Sequence, residues 1–319
     1  MSDRLAILPE AAIALLKEKF GEAIKIDWPL HSYSTFGTGG RAGLFMEVET
    51  PDQLSLLLHT VRELNIPHFM LGGGSNILIS DKGYRGLIIR NLIKGLKVEG
   101  ATISSGAGES LNDLVSFAAE CGLTGLEFAT GIWGTVGGAI YGNAGAYGAE
   151  IGTCLDSAQV IDKQGNMRTE TASYFEFSYR ISKLKSTGEF IASAKFALKK
   201  GDKALILSRI NEIMETRKAK LPLDKRSAGC FFKNVVDKNR PYGKIPAGQL
   251  LEEIGAKEIT VGGARVSEEH ANILINEGTA TSEEIWRLAE ILKRHVKDKF
   301  GIVLQEEIVF LGEFQEESL

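Results

Sequence analysis

Glycine is the feature that most constrains this chain. Of 319 residues 36 are glycine, about 11% against roughly 7% on average. Eighteen of the 36 fall between Gly72 and Gly148, about a quarter of the length. Proline is scarce at 7, and no repeat or low-complexity tract appears, so the region is not a linker. Glycine loses more backbone freedom on folding than any other residue. Such density therefore marks ordered chain that turns sharply or approaches something closely.

Two stretches concentrate it. Leu71-Gly72-Gly73-Gly74-Ser75-Asn76 separates two apolar runs, 68–71 and 77–79, that read as strands. Consecutive glycine N–H groups can converge on one anion, with Ser75 and Asn76 as further donors; a glycine-rich hairpin turn is the alternative. The loop is not the dinucleotide fingerprint, which needs a helix directly after it, nor a P-loop, since no Gly-Lys-Ser/Thr follows. The second stretch, Gly131 to Ala139 and Gly142 to Gly148, holds seven glycines in 18 residues with little charge. Core packing does not account for it. Together the loops point to a pyrophosphate-bearing cofactor held by backbone. The expected contacts are Gly72, Gly73, Gly74, Ser75, Asn76, Gly131, Thr135, Gly137, Gly138 and Gly145.

At roughly 150 residues per domain the length suggests about two domains, or three small ones. Apolar residues at 44% and charged residues at 24% allow a sizeable core. Net charge is 37 minus 41, or −4, with no basic stripe for nucleic acid or an anionic membrane. Three widely spaced cysteines, Cys121, Cys154 and Cys230, argue against a disulfide framework or a CxxC metal site, and no metal is expected. No run of 18 apolar residues occurs, and Met1-Ser2-Asp3-Arg4 opens no apolar leader. A cytoplasmic protein without a membrane span is expected.

Helices are predicted over 10–20, 51–64, 110–121, 204–219, 246–254 and 282–299. Thr50 with Gln53 and Thr281 with Glu284 read as capping boxes, Ser110 as an N-cap, and Gly301 as the residue past a helix end. Strands are predicted at 68–71, 77–79, 86–90, 102–105, 157–162, 190–199 and 302–311. The fold class is α+β, with breaks near 70 and near 205–220.

The glycine loops belong to a longer series of motifs. Ser34 to Ala42, the 72–76 loop with Ile77-Leu78, the 131–148 loop and Tyr179-Arg180-Ile181-Ser182 come first. Ala228-Gly229-Cys230-Phe231-Phe232-Lys233-Asn234, Pro246-Ala247-Gly248, Gly262-Gly263-Ala264, His270-Ala271-Asn272 and the stretch from Phe300-Gly301-Ile302 to Glu307 follow. In this order, over nearly the whole chain, they resemble the UDP-N-acetylenolpyruvoylglucosamine reductase (MurB) family, flavoenzymes of peptidoglycan precursor synthesis. The resemblance is closer to the shorter branch, which lacks an inserted loop with a tyrosine over the substrate. It implies a three-domain flavoprotein with a vanillyl-alcohol-oxidase (PCMH)-like FAD-binding region and a C-terminal α+β substrate-binding domain. The FAD-binding region would be 1–70, joined by the terminal strand 302–319, and 71–205; the substrate domain would be 206–301. The implied cofactors are non-covalent FAD and NADPH as hydride donor. The implied reaction reduces the enolpyruvyl group of UDP-N-acetylglucosamine enolpyruvate to give UDP-N-acetylmuramate. The partners are then small molecules, and the enzyme a monomer.

The resemblance also assigns residues, and each suits its task chemically. Hydride addition beside a carboxylate builds negative charge there, and Arg180 offers a permanent charge with a planar fork of donors. Cys230, at a position where many relatives carry serine, is a proton donor to carbon; otherwise it is a small buried hydrophobe. Glu307 is the catalytic carboxylate, orienting water or polarising the ether oxygen. Glu306 is the register alternative, because adjacent residues of a strand face opposite ways. Arg217, Lys220 and Asn234 match positions that hold the UDP group. Unaided, Arg217 to Lys220 reads as a solvated helix end. His270 serves either substrate or structure. Three residues depart from the family pattern: Trp133 for a common proline, Val235 for a proline, and Val309 for an arginine. Two rival readings are another FAD oxidoreductase of the same superfamily and a flavin-binding relative without turnover.

Overall fold

The computed structural model describes residues 8–239 and 243–314, so the reading of Met1 to Arg4 lies outside the described residues. The chain forms two compact units. The first takes the chain up to Ile26 with Leu44–Gly73 and Gly86–Arg217; the second takes Asp27–Gly43, Gly74–Arg85 and the chain from Lys218 onward.

The first unit has two cores. One is built by α1 (Glu10–Phe20), α2 (Pro51–Glu63) and a sheet. In that sheet Tyr84–Asn91 lies between Arg41–Val48 and His68–Leu71, the last pair parallel with His68 opposite Leu87. Leu54, Leu57, Leu58 and Val61 of α2 are buried against Leu44, Met46 and Leu87. Their i, i+3, i+4, i+7 spacing is what places them on one helical face. Thr50 caps α2 by accepting from Gln53 N, but the Gln53 side chain reaches Glu49 N rather than closing the expected box.

The other core lies on an antiparallel sheet of order Met167–Thr171, Leu155–Ile161, Phe190–Ala197, Thr102–Gly106, Leu96–Glu99. Helix α3 (Leu111–Glu120) buries Leu111, Leu114, Val115 and Ala118 against it, capped by Ser110. The stretch 131–148, expected as loop, contains α4 (Val136–Tyr141), whose cap Thr135 accepts from Gly138 N at 3.3 Å. Glycine weakens a helix. Here a close approach outweighs propensity, since a Cβ at Gly137 would lie 3.1 Å from the Cβ and carbonyl oxygen of Ala107. A single-turn α5 (Leu184–Thr187) follows, then α6 (Lys203–Lys220).

The second unit is organised by α8 (Ser282–Phe300). Its Ile285, Leu288, Leu292 and Val296 pack on Phe231, Phe232, Val266 and Leu274, with α7 (Ala247–Glu253) alongside. The Thr281–Glu284 capping box is complete, and Asp81 adds its carboxylate to the N–H groups of Ser282 and Glu283. Gly301 ends α8 at φ +69°, where a side chain would be strained. Thr260–Val261, Ala264–Val266 and Leu274–Asn276 form an antiparallel meander.

The terminal strand is shorter than expected: of 302–311 only Val309–Leu311 is strand, and it pairs in parallel with Ile77–Ile79. Upstream, Gln305 O and Glu307 N bond to Lys233 N and Phe231 O, so 305–307 is drawn onto the 231–233 segment. That partner change ends the ladder early. No helix among the described residues is long and apolar enough to cross a membrane.

Candidate active site

In the first unit the two glycine loops meet. A Cβ on Gly72 would lie 2.6 Å from Thr135 Oγ1, and one on Gly73 would lie 2.9 Å from Gly134 Cα. Both positions therefore need glycine for loop-on-loop packing. The second loop is seated from beneath by the 106–111 turn: Val136 N bonds Glu109 O, Gly137 N bonds Ala107 O, and Leu111 N bonds Gly134 O. Asn112 clamps the front of the loop, donating to Ile132 O at 3.2 Å and accepting from Gly131 N at 2.8 Å. Asn112 carried no signal in the sequence, because a polar residue in a first helical turn reads as solvent-facing.

Gly131 itself takes φ +71°. Beside it are two buried polar atoms without a hydrogen-bond partner among the described residues, Thr130 Oγ1 and Arg217 Nε. The Arg217 side chain lies over Gly131, with Nε 2.9 Å from where a Cβ would stand. Orphaned buried donors are rare and call for a ligand or water. Beside an uncharged glycine cradle, Thr130 Oγ1 fits a large cofactor rich in hydrogen-bonding atoms, as FAD is. Residues 72–73 and 130–138 are the part of this unit suited to hold it. Gly145 stands apart from that cradle. It pairs with Glu150 in a short hairpin, and its carbonyl receives Arg180 Nη1 at 3.0 Å.

Arg180 sits at the tip of a tight hairpin closed by reciprocal bonds between Ser178 and Ile181. Its φ is +59°, a strained value for arginine. Lys185 Nζ donates to its carbonyl at 2.7 Å.

In the second unit Cys230 and Glu307 come to adjacent chain segments. Glu307 N donates to Phe231 O at 2.8 Å, and Cys230 bridges to Ile273 on its other side. Asn272, 2% exposed, fixes this crossing: Oδ1 accepts from Phe232 N at 3.0 Å and Nδ2 donates to Phe232 O at 2.8 Å. The Asn272 role was not foreseen, since it depends on a contact 40 residues away. Glu306, the register alternative, forms an ion pair with Lys293 of α8 at 2.6 Å. Gly74 at φ +66° abuts the Tyr33 carbonyl. Asn76 donates to Glu307 O at 3.2 Å and accepts from Val309 N. Asn76 and Glu307 thus hold each other in place.

The remaining residues are more dispersed. Lys220 is exposed at the end of α6, one turn after Arg217. Asn234 Oδ1 accepts from Ala247 N at 3.1 Å, anchoring the start of α7. The His270 ring packs on Gly248, and Nδ1 accepts from Asn272 N at 3.2 Å. Burial holds its imidazole below the ordinary value, so the ring is neutral at pH 7 with its other nitrogen a donor.

An FAD-binding domain model matches residues 42–170, and the C-terminal domain model of UDP-N-acetylenolpyruvoylglucosamine reductase matches 221–311. Reductases of that name from Lachnoclostridium phytofermentans and Lactobacillus delbrueckii subsp. bulgaricus are 38% and 41% identical, covering 92% and 89% of this chain and 94% of each relative. The crystal structure of the enzyme from Thermus caldophilus is similar with a TM-score of 0.75 and 33% identity, over 91% of this chain and 98% of that one. The chain therefore belongs to the UDP-N-acetylenolpyruvoylglucosamine reductase (MurB) family of FAD-dependent oxidoreductases, which serve peptidoglycan synthesis.

Proposed function

We propose that this protein reduces UDP-N-acetylglucosamine enolpyruvate to UDP-N-acetylmuramate with NADPH as reductant, as a monomer in the cytoplasm, and that residues 206–301 bind the substrate. FAD, when bound, supplies the hydride that adds to the terminal carbon of the enolpyruvyl double bond. Everything else falls to the side chains. Addition leaves negative charge on the carbon bearing the ether oxygen and on its carboxylate. Arg180 stabilises that charge with its fork of donors, held ready by its bond to Gly145 O. Cys230 Sγ gives its proton to the charged carbon, and the thiolate recovers one from solvent. Glu307 orients a water or polarises the ether oxygen. Arg217, Lys220 and Asn234 bind the diphosphate end, and Gly72 and Gly73, with Gly131, Thr135, Gly137 and Gly138, hold the cofactor.

One observation carries the assignment of the acid groups. A single backbone crossing, pinned by Asn272, brings the chain segments that carry Cys230 and Glu307 together, while Glu306 is committed to Lys293. The test is single-turnover recovery of flavin absorbance on adding substrate to NADPH-bleached enzyme. Cys230→Ala should bind FAD and oxidise NADPH normally, yet recover slower by on the order of a hundred- to ten-thousand-fold. Cys230→Ser should regain part of that loss. Recovery at wild-type speed in Cys230→Ala moves the proton source to Glu307 or a water it holds.

A further inference from the structure

Arg180 occupies a backbone conformation that arginine does not adopt unaided. With φ at +59° at the second central position of the Ser178–Ile181 turn, it stands where glycine is usual. Such a residue persists only where its surroundings over-determine it. Lys185 holds the Arg180 carbonyl, and one short stretch, 143–145, holds both the turn and the guanidinium.

Asn143 has no exposed surface and is itself left-handed, at φ +44°. Its Nδ2 donates to Ser178 O at 3.0 Å, and its Oδ1 accepts from Gly152 N at 3.1 Å. Ser178 O also receives Ile181 N at 2.9 Å, so the carbonyl that closes the Arg180 hairpin is the one Asn143 grips. Two residues later Gly145 O receives the Arg180 guanidinium at 3.0 Å. Gly145 packs closely on the facing strand, since a Cβ there would lie 2.6 Å from Ala149 O. The base of the hairpin and the head of its arginine are thus tied to the same three residues. A carboxamide suits the position because it offers a donor and an acceptor at once. Aspartate would turn an acceptor toward the Ser178 carbonyl, and glycine would keep the left-handed backbone while offering neither group.

We propose that Asn143 is a positioning residue for Arg180: its carboxamide fixes where the guanidinium stands and so governs the substrate half of the reaction without touching substrate. This rests on the role given to Arg180 above.

The test compares wild type, Asn143→Gly, Arg180→Ala and the double variant, all FAD-loaded. Two readouts are taken: recovery of flavin absorbance on adding UDP-N-acetylglucosamine enolpyruvate, and hydrogen exchange at the Ser178 and Ile181 amides without substrate. In Asn143→Gly, recovery should slow by about a hundredfold, the scale of a misplaced catalytic group. Bleaching by NADPH should stay within about twofold, and both amides should exchange faster. In the double variant recovery should be no slower than in Arg180→Ala, because Asn143 then has nothing left to position. Wild-type recovery in Asn143→Gly, or an undiminished effect of Asn143→Gly in the Arg180→Ala background, overturns the proposal. Wild-type recovery in Arg180→Ala instead removes the role of Arg180, a failure identified by a different protein. Asn143→Asp, which keeps the bond from Gly152 N and the left-handed tolerance, repeats the comparison if Asn143→Gly does not load FAD. If neither variant loads FAD, Asn143 is needed for the fold of the glycine region itself and the proposal fails.

Discussion

Two adjacent carboxylates, Glu306 and Glu307, should respond to the same substitution in opposite ways. Glu306 Oε1 lies 2.6 Å from Lys293 Nζ, and Glu290 Oε1 lies 2.9 Å from the same nitrogen. The Lys293 and Glu306 side chains are each 23% exposed, so their attraction is only partly screened. Desolvation lowers the Lys293 pKa, but the two carboxylate hydrogen bonds outweigh it and hold the ammonium above its ordinary value. Glu306→Gln removes one of two partners and keeps an acceptor oxygen, leaving no orphaned charge. The loss should be about 0.5–1 kcal/mol of stability, the range for partly exposed pairs. For a chain of this size that is about one degree in Tm. Turnover should not change. Glu307→Gln keeps both backbone bonds, to Phe231 O and from Asn76 Nδ2. Its stability should match wild type, while turnover should fall by on the order of a hundred- to ten-thousand-fold. Denaturant melts and NADPH oxidation with the enolpyruvyl sugar read the two quantities on the same preparations. If Glu306→Gln loses turnover and Glu307→Gln keeps it, the assignment of register is wrong.

Gly73→Val should purify without stoichiometric FAD, because its Cβ would stand 2.9 Å from Gly134 Cα and force the two loops apart; flavin absorbance against protein measures it. His270 has its pKa lowered by burial from an ordinary 6.5, so the stability of its neutral form is complete above that value and is lost as pH falls through the folded one. Between about pH 7.5 and about pH 5.5 wild type should therefore lose more stability than His270→Gln, and equal losses would show that the ring is not desolvated. Cys121 is exposed, whereas Cys154 is buried, donates to Ile151 O, and has its thiol pushed up to about 12 by that burial. Iodoacetamide on the native protein should label Cys121 and spare Cys154 until denaturant is added, which peptide mass spectrometry resolves.

Much of the architecture was legible because it depends on local chemistry. Thr281 with Glu284, Ser110 with Asp113, and Gly301 act within one turn of chain, and each helix formed where its cap stood. Helix α4 was not legible. Its two glycines argue against helix, and the approach of Ala107, thirty residues away, explains Gly137 alone. The terminal strand was overextended for a related reason. The pull of residues 231–233 on 305–307 is a tertiary contact without a sequence signature. At the site, the side chains expected to do chemistry were visible as residue types in motifs. The asparagines that hold them, Asn112, Asn143 and Asn272, were not. Their meaning lies in carbonyl and amide partners 9 to 40 residues distant. The crowding of glycine was visible, but part of its cause is loop against loop at Gly72 and Gly73, in addition to any ligand.

The central claim is tested most directly by one anaerobic titration of the purified, FAD-loaded protein. NADPH should bleach the flavin absorbance. One equivalent of UDP-N-acetylglucosamine enolpyruvate, added under nitrogen, should then restore it and yield one equivalent of UDP-N-acetylmuramate. Bleaching without restoration by that substrate would contradict the account.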